Sequence, residues 1–344
     1  MRSLEEIGFY TLSDSRARNV SIDTPLWRCE LILTDKCNFN CSYCQGISEK
    51  YSKQMSIEEA KKIIDLWAEG NLKNIRFSGG EPTIWKPLPE LVAYSKENEI
   101  DRIAISTNGS ASLDYYYELI KLGVNDFSIS LDACCASTGD KMSGVKGSYQ
   151  KIIDNIKELS KIVYVTVGIV LSKENMNELS KTIELASDEL SVSDIRIITA
   201  AQWNAKFKNL NVRTDILSKH PILKYRVTNF KNGKHIRGIK ESDNNRCPLV
   251  LDDMAIAGEY HFPCIIYLRR HGSPIGKITN LKQIRKERFK WFKNHNTFKD
   301  PICNYTCLDV CVDYNNKVRE LKLQERKDMN VLQANELSNL LRTG

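Results

Sequence analysis

Between residues 29 and 199, short apolar runs alternate with helical patterns at a near-constant interval, and this alternation constrains the fold more than any other feature. CELILT (29–34), NIRFS (74–78), RIAIST (102–107), DFSISLD (126–132), VYVTVGIVL (163–171) and DIRIIT (194–199) read as strands. Between them, SIEEAKKIIDLWAEG (56–70), PLPELVAYSKENE (87–99), SLDYYYELIKLG (112–123), YQKIIDNIKELSK (149–161) and MNELSKTIELASDEL (176–190) have helical spacing. Ser56 is placed as an N-cap with acids in the first turn behind it, and Gly123 as a helix stop. Strands separated by helices require crossovers, which implies a parallel sheet with helices outside. Six βα units are too few for a closed eight-stranded barrel. The predicted fold is α/β, a partial (β/α)6 TIM-like barrel, and chemistry is expected at the C-terminal ends of its strands.

The pattern changes after Ala200. Residues 203–246 are polar and basic with weak periodicity, 247–311 hold a group of cysteines, and 315–342 read as a helix. The expected division is an N-terminal extension (1–25), the barrel (26–202), a cysteine-rich domain (203–314) and a C-terminal helix (315–344). A chain of 344 residues suits one large domain and a smaller one. There is no internal repeat or low-complexity tract.

Cysteine usage carries the chemistry. The first residues bear acids and no apolar core of a secretory signal, and no run is long enough to cross a bilayer. The expected compartment is the cytoplasm, with no membrane association. Eleven cysteines, an odd count, then argue against a disulfide framework and for metal ligands. Cys37-Asn-Phe-Asn-Cys41-Ser-Tyr-Cys44 directly follows the first predicted strand. Three thiolates within eight residues can wrap one face of a four-iron cluster and leave its fourth iron open to a ligand. A structural zinc needs four closed ligands, and no fourth Cys or His is near.

CxxxCxxC with an aromatic residue, Tyr43, before the third cysteine resembles the signature of the radical S-adenosylmethionine (SAM) superfamily. Gly79-Gly80-Glu81-Pro82 after the second strand resembles that family's GGEP loop, which contacts the SAM amino group. Glycines permit close backbone approach, and a carboxylate accepts from an ammonium. Ser106-Thr107-Asn108-Gly109 and Ser128-Ile129-Ser130-Leu131-Asp132 resemble its STNG and SLD segments. The resemblance covers the first 200 residues in order and spacing. It implies a [4Fe–4S] cluster on Cys37, Cys41 and Cys44, and SAM held by Tyr43, Gly79, Gly80, Glu81, Pro82, Thr107, Asn108 and Ser130. Turn formation at Asn108-Gly109 and capping by Ser130 and Asp132 are the structural alternatives. Val167–Val170 resembles the segment beneath adenine. The resemblance also implies the chemistry: one-electron cleavage of SAM to methionine and a 5′-deoxyadenosyl radical, which removes a substrate hydrogen atom.

The second group is Cys247, Cys264, Cys303, Cys307 and Cys311. It resembles the SPASM/twitch type of C-terminal extension, which holds auxiliary iron–sulfur clusters. Five cysteines fit one auxiliary [4Fe–4S] cluster better than two. Cys247, Cys264 and Cys311 are the leading ligands, with a structural zinc as the alternative. Four thiolates would close the cluster and suit it to accept an electron from a substrate radical.

Other residues are read more plainly. Cys29 belongs in the core. Cys134 and Cys135 follow the fourth strand, where a thiol could return a hydrogen atom to a radical or be an ordinary loop thiol. Arg196 and Gln202 border the predicted substrate side or lie on the surface. No two histidines pair at i, i+3 or i+4, and Trp291 reads as a packing anchor. The net charge of +7 is concentrated late: Tyr267 to Lys299 carries ten Lys/Arg and one acid, Glu287. That run suits a phosphorylated or nucleic acid partner, or is a solvated basic face.

Three functions follow. The first is oxidation or modification of a peptide or protein, although the 36 residues before Cys37 are short for a leader-recognition domain. The second is oxidation or rearrangement of a small molecule such as a phosphorylated sugar or nucleotide. The third, an iron–sulfur electron carrier without catalysis, fits poorly with intact GGEP and STNG segments. Either enzyme would draw electrons from a reducing partner such as flavodoxin or ferredoxin.

Overall fold

The computed structural model describes residues 14–48, 50–51, 53–200 and 210–342. Nine strands form one sheet: β1 (Arg28–Thr34), β2 (Asn74–Gly79), β3 (Arg102–Thr107), β4 (Asp126–Ser130), β5 (Tyr164–Leu171), β6 (Asp194–Thr199), β7 (Asp253–Ala257), β8 (Tyr260–Phe262) and β9 (Gly276–Lys277). Their order is β6-β5-β4-β3-β2-β1-β7-β8-β9. The six predicted strands are present, adjacent in sequence order and all parallel. The sheet does not close on itself, so the partial α/β barrel expected from the repeat is the architecture.

The strand interiors alternate as a barrel requires. Cys29, Leu31 and Leu33 of β1 join the core between sheet and helices, with Ile75 and Phe77 of β2. The opposite face of the barrel strands is polar. Arg76 donates to Ser106 Oγ (3.0 Å) and pairs with Asp126, which also takes Arg102. Arg196 donates to Ser128 Oγ (3.1 Å). The first barrel helix, Ile57–Glu69, starts on a full capping box between Ser56 and Glu59 and buries Ala60, Ile63, Ile64 and Trp67. Gly123 ends the helix Leu113–Leu122 at φ 130°, as expected of a glycine stop.

Two features were not legible in the chain. A helix at Ala136–Ser143 has a polar sequence with no apolar period. More consequentially, β7 pairs in parallel with β1, matching Arg28 to Asp253 and Ile32 to Ala257. The cysteine-rich region therefore begins by extending the barrel sheet, then turns back through the antiparallel strands β8 and β9. β7 is five residues, all buried, and such a short apolar run has no period that separates strand from helix.

The polar stretch after β6 contains the helices Thr214–Lys219 and Pro221–Lys231, which bury Ile216, Leu223, Val227 and Phe230. Asp194 on β6 accepts from the backbone N–H of Ile222 and Leu223 at the start of the second. Gln202 lies outside the described residues. A helix runs from Asp309 to Arg342. No helix among the described residues is long and apolar enough to cross a membrane.

Candidate cluster and cofactor site

The cysteine loop leaves the end of β1, and the GGEP loop is pressed against its root. Gly80 N–H donates to Thr34 O (2.7 Å) and Glu81 N–H to Lys36 O (2.8 Å). A Cβ on Gly79 would lie 2.4 Å from Thr34 O, and one on Gly80 would lie 2.1 Å from Lys36 O. Gly79 also sits at φ 155°. The two glycines are thus required by backbone against backbone, where no side chain fits.

Glu81 and Thr107 meet each other inside this ledge. The Glu81 carboxylate is 1% exposed. Its Oε1 accepts from Thr83 N (3.1 Å), Thr83 Oγ1 (2.7 Å) and Thr107 Oγ1 (2.7 Å), and Oε2 accepts from Asn108 N (2.7 Å). Burial raises its pKa, and these four donors oppose the rise. The Thr107 hydroxyl also lies 3.1 Å from Tyr116 OH and accepts from Gly109 N. Both side chains were expected to face SAM. Four protein donors already meet the Glu81 carboxylate, and the Thr107 hydroxyl engages Glu81, Tyr116 and Gly109, so both shape the GGEP and STNG turns from behind. Pro82 is buried and opens a short 3-10 turn.

Asn108 faces the cysteine loop. Its Nδ2 donates to Asn38 Oδ1 (2.8 Å), and Asn38 Nδ2 donates to Ser110 Oγ (2.9 Å). On the loop's other flank, Asn40 N–H donates to Ser143 O (2.9 Å) and Ser42 N–H to Met142 O (3.2 Å). Tyr43 OH donates to Asp132 Oδ2 (2.5 Å), while Asp132 Oδ1 accepts from Val170 N (2.7 Å). Burial pushes Asp132 up to about 6 despite these two donors. Ser130 ends β4, half-buried and opposite Gly168 of β5. The loop is therefore clasped by the ends of β2, β3, β4 and β5. The roles of Asn38 and Asp132 were not foreseen, because both are contacts across long sequence separations.

Cys37 and Cys44 are exposed, Cys41 is half-buried, and all three are free thiols. Phe39 N–H points at Cys37 Sγ and Gly46 N–H at Cys44 Sγ, each at 3.4 Å. Burial, then the Asp132 carboxylate, push Cys41 up to about 12, and burial raises Cys37. Such thiols ionise when a cation supplies the missing charge. Their spacing says which kind. Among the described residues, only two sets of three Cys, His, Asp or Glu ligands have all their atoms within 4.8 Å, and neither includes Cys37, Cys41 or Cys44. One zinc ion draws its ligands to about 3.2–3.8 Å of each other. The more open triangle fits a multi-iron cluster.

The later cysteines stand on short elements that converge. Cys247 precedes the 3-10 turn Pro248–Leu251, and Cys264 caps the helix Ile265–Arg269. Cys303 lies in the helix Pro301–Thr306, Cys307 caps its end, and Cys311 is in the first turn of the long helix. Burial raises Cys247 to about 11, with Cys311 adding to the rise. Cys264 is raised by burial and then by Cys311, and Cys307 chiefly by its contact with Cys311. Mutual repulsion of this kind places these four in one neighbourhood. Cys303 is also close to Cys264, but its sulfur lies 3.9 Å from His295 Nε2, and Asp300 Oδ2 is 3.5 Å from the same nitrogen. That histidine stacks on Trp291 with ring centroids 4.0 Å apart.

Two buried arginines hold this region. Arg288, within the basic run, donates to the carbonyls of Val250 (2.8 Å), Phe262 (3.0 Å), Pro263 (3.3 Å) and Asp253. Arg237 joins Thr199 O at the end of β6 to Thr306 O beside Cys307. Arg269 reaches back to Ser78 Oγ (3.2 Å) and Gly79 O (3.0 Å), so the helix capped by Cys264 touches the GGEP strand. The basic run thus contains structural arginines as well as exposed lysines.

Residues 31–186 match the family model described as the Radical SAM superfamily. This chain therefore carries a radical SAM domain, followed by a cysteine-rich C-terminal region. It is 32% identical over 161 residues to the Fe-coproporphyrin III synthase of Methanosarcina barkeri, covering 46% of this chain and 40% of that protein. It is 33% identical over 132 residues to a probable GTP 3',8-cyclase of Methanococcus maripaludis, covering 36% and 44%. The chain thus spans less than half the length of these relatives. Among solved structures, anSMEcpe with bound AdoMet and the Kp18Cys peptide aligns over 89% of this chain and 99% of that one, at a TM-score of 0.57 and 13% identity. That likeness establishes the fold.

Proposed function

We propose that this chain is a radical SAM enzyme that oxidises or otherwise modifies a peptide or protein. Cys37, Cys41 and Cys44 would hold a [4Fe–4S] cluster, and SAM would lie over it against Gly79, Gly80, Asn108 and Ser130. Glu81, Pro82, Thr107 and Tyr43 would hold those surfaces in place. When bound, the cluster and SAM supply a 5′-deoxyadenosyl radical for hydrogen-atom abstraction. Four of the five thiols Cys247, Cys264, Cys303, Cys307 and Cys311 would provide the ligands for one auxiliary [4Fe–4S] cluster. Residues 26–202 are the cofactor-binding part, and 203–314 the auxiliary part that accepts an electron. A flavodoxin or ferredoxin would act as reductant.

The observation that carries this reading is the loop of three free thiols, rooted on the GGEP loop and pinned by the STNG turn. The chain's own groups do the positioning. Asn38 and Asn108 fix one flank of the loop, and Tyr43 with Asp132 fixes the other and covers Cys41. The solved anSMEcpe structure, which aligns over 89% of this chain, has bound AdoMet and a peptide, and that supports a peptide substrate here.

A small-molecule substrate is the second reading. The relatives with the higher sequence identity bear names of small-molecule chemistry, a coproporphyrin and GTP. The exposed lysines of the helix Leu281–Asn294 would suit a phosphate. The test is hydrogen transfer. Reconstituted protein, dithionite and SAM are incubated with perdeuterated peptides, or with deuterated nucleotides and porphyrins. Deuterium appearing in 5′-deoxyadenosine only with peptides supports the first reading. Deuterium from a small molecule alone replaces it with the second.

A further inference from the structure

The cysteine pair after β4 has no part in either cluster, yet it is the tightest ligand group among the described residues outside the C-terminal region. Cys134 Sγ and Cys135 Sγ lie 3.4 Å apart, and Glu178 Oε2 is 3.7 Å from Cys134 Sγ. All three ligand atoms fall within 4.8 Å of one another. The sulfurs are free thiols, not a disulfide. Glu178 comes from the 3-10 turn Met176–Glu178 after β5, some forty residues further along the chain.

We propose that Cys134, Cys135 and Glu178 form a mononuclear site for a thiophilic divalent cation such as zinc, with two thiolates and one carboxylate as ligands. The Cys134–Cys135 and Cys134–Glu178 distances match a tetrahedral ion, whose ligand atoms stand about 3.2–3.8 Å apart. The surroundings match as well. Thr138 Oγ1 donates to the other carboxylate oxygen, Glu178 Oε1, at 2.7 Å, the outer contact that orients a metal ligand. Tyr149 OH donates to Cys134 O at 2.5 Å and fixes the backbone that presents both thiols. Charge provides the third argument. Three groups that can become anions converge here, two thiols and a carboxylate. The charge that this cluster lacks is the one a metal ion supplies.

Binding would release the two thiol protons and leave a fourth position for water or another ligand. Its structural consequence lies in the helix Ala136–Ser143. Cys135 is the N-cap of that helix, and its far end holds the cysteine loop through Ser143 O and Met142 O. A bound ion would tie β4, the turn after β5 and this helix into one rigid mount.

The site stands independently of the radical SAM reading, because its test reads metal and not turnover. Full-length protein is reconstituted anaerobically with iron and sulfide so that the other thiols are occupied. It is then equilibrated with zinc chloride, desalted and analysed for metals. Wild type should retain one zinc per chain, and the Cys134→Ser/Cys135→Ser variant none, with iron and sulfide equal in both. Glu178→Gln should bind at least about tenfold more weakly. Zinc-edge X-ray absorption on wild type should show two sulfurs at about 2.3 Å with lighter ligands. Equal zinc in wild type and the double variant overturns the site. Four sulfurs around zinc assign the ion to other cysteines and also overturn it. Wild-type affinity in Glu178→Gln removes the carboxylate and with it the three-ligand assignment.

Discussion

The two large cysteine groups are built from opposite materials. Cys37, Cys41 and Cys44 lie on an exposed loop, held from outside by hydrogen bonds to the ends of four strands. The later five sit in or at the ends of short helical elements, braced from within by buried Arg288 and Arg237. An exposed loop leaves room for a ligand over its metal, which an open iron needs. A braced, half-buried set would leave less room around a metal, which suits electron transfer. The difference teaches that access is decided by what supports the thiols rather than by their number.

The comparison can be broken most sharply at Arg288. Arg288→Met removes the donors of several buried carbonyls, each costly to leave unpaired. We expect a loss of about 3 kcal/mol or more in denaturant unfolding, with loss of auxiliary iron and retention of the first cluster. Equal loss of both clusters would show that the regions are not independently braced. Glu81→Gln acts on the other side. It replaces an acceptor with a donor that faces a hydroxyl or an N–H, at a cost of about 2 kcal/mol. The expected readout is weaker SAM binding by equilibrium dialysis with auxiliary iron unchanged.

Tyr43→Phe removes one hydrogen bond and leaves Asp132 Oδ2 short of a donor, for about 1.5 kcal/mol. Iron should leave the first site faster when challenged with a chelator, with no change at the second.

The pH dependence of stability separates one group in each part, because the two have opposite signs. Burial raises Asp194, in the barrel, from 3.8 to about 6 against three backbone donors. The folded state therefore favours its protonated form, and that contribution is lost as pH rises from about 4 to about 6. His261, in the C-terminal part, is lowered from 6.5 to about 4 by burial and then by Arg288. Its contribution is present above 6.5 and is lost as pH falls toward 4. Asp194→Asn should flatten the first slope and His261→Gln the second, in unfolding midpoints measured between pH 4 and 7. A shared sign in the two variants would contradict these environments.

The sequence made the barrel legible because its signals are local. Ser56 and Gly123 cap helices where their neighbours predict, and β3 and β6 fall at 102–107 and 194–199 as read. β7 was hidden because its five residues carry no period and its partner, β1, is over two hundred residues away. The cysteine loop and the GGEP and STNG turns were visible as motifs, but not how their side chains are used. Glu81 and Thr107 carry the chemistry expected at a ligand, yet the fold turns them toward each other. Asp132, Asn38 and Glu178 act only through contacts that folding creates.

The most direct test of the central claim is an anaerobic assay of SAM cleavage with an iron count. Reconstituted wild type and a Cys37→Ala/Cys41→Ala/Cys44→Ala variant are treated with dithionite and SAM, and 5′-deoxyadenosine is followed by chromatography. The account predicts deoxyadenosine from wild type only, with about four irons retained by the variant, as one auxiliary [4Fe–4S] cluster requires. Wild type that binds iron but never cleaves SAM, even with candidate substrates present, would contradict it.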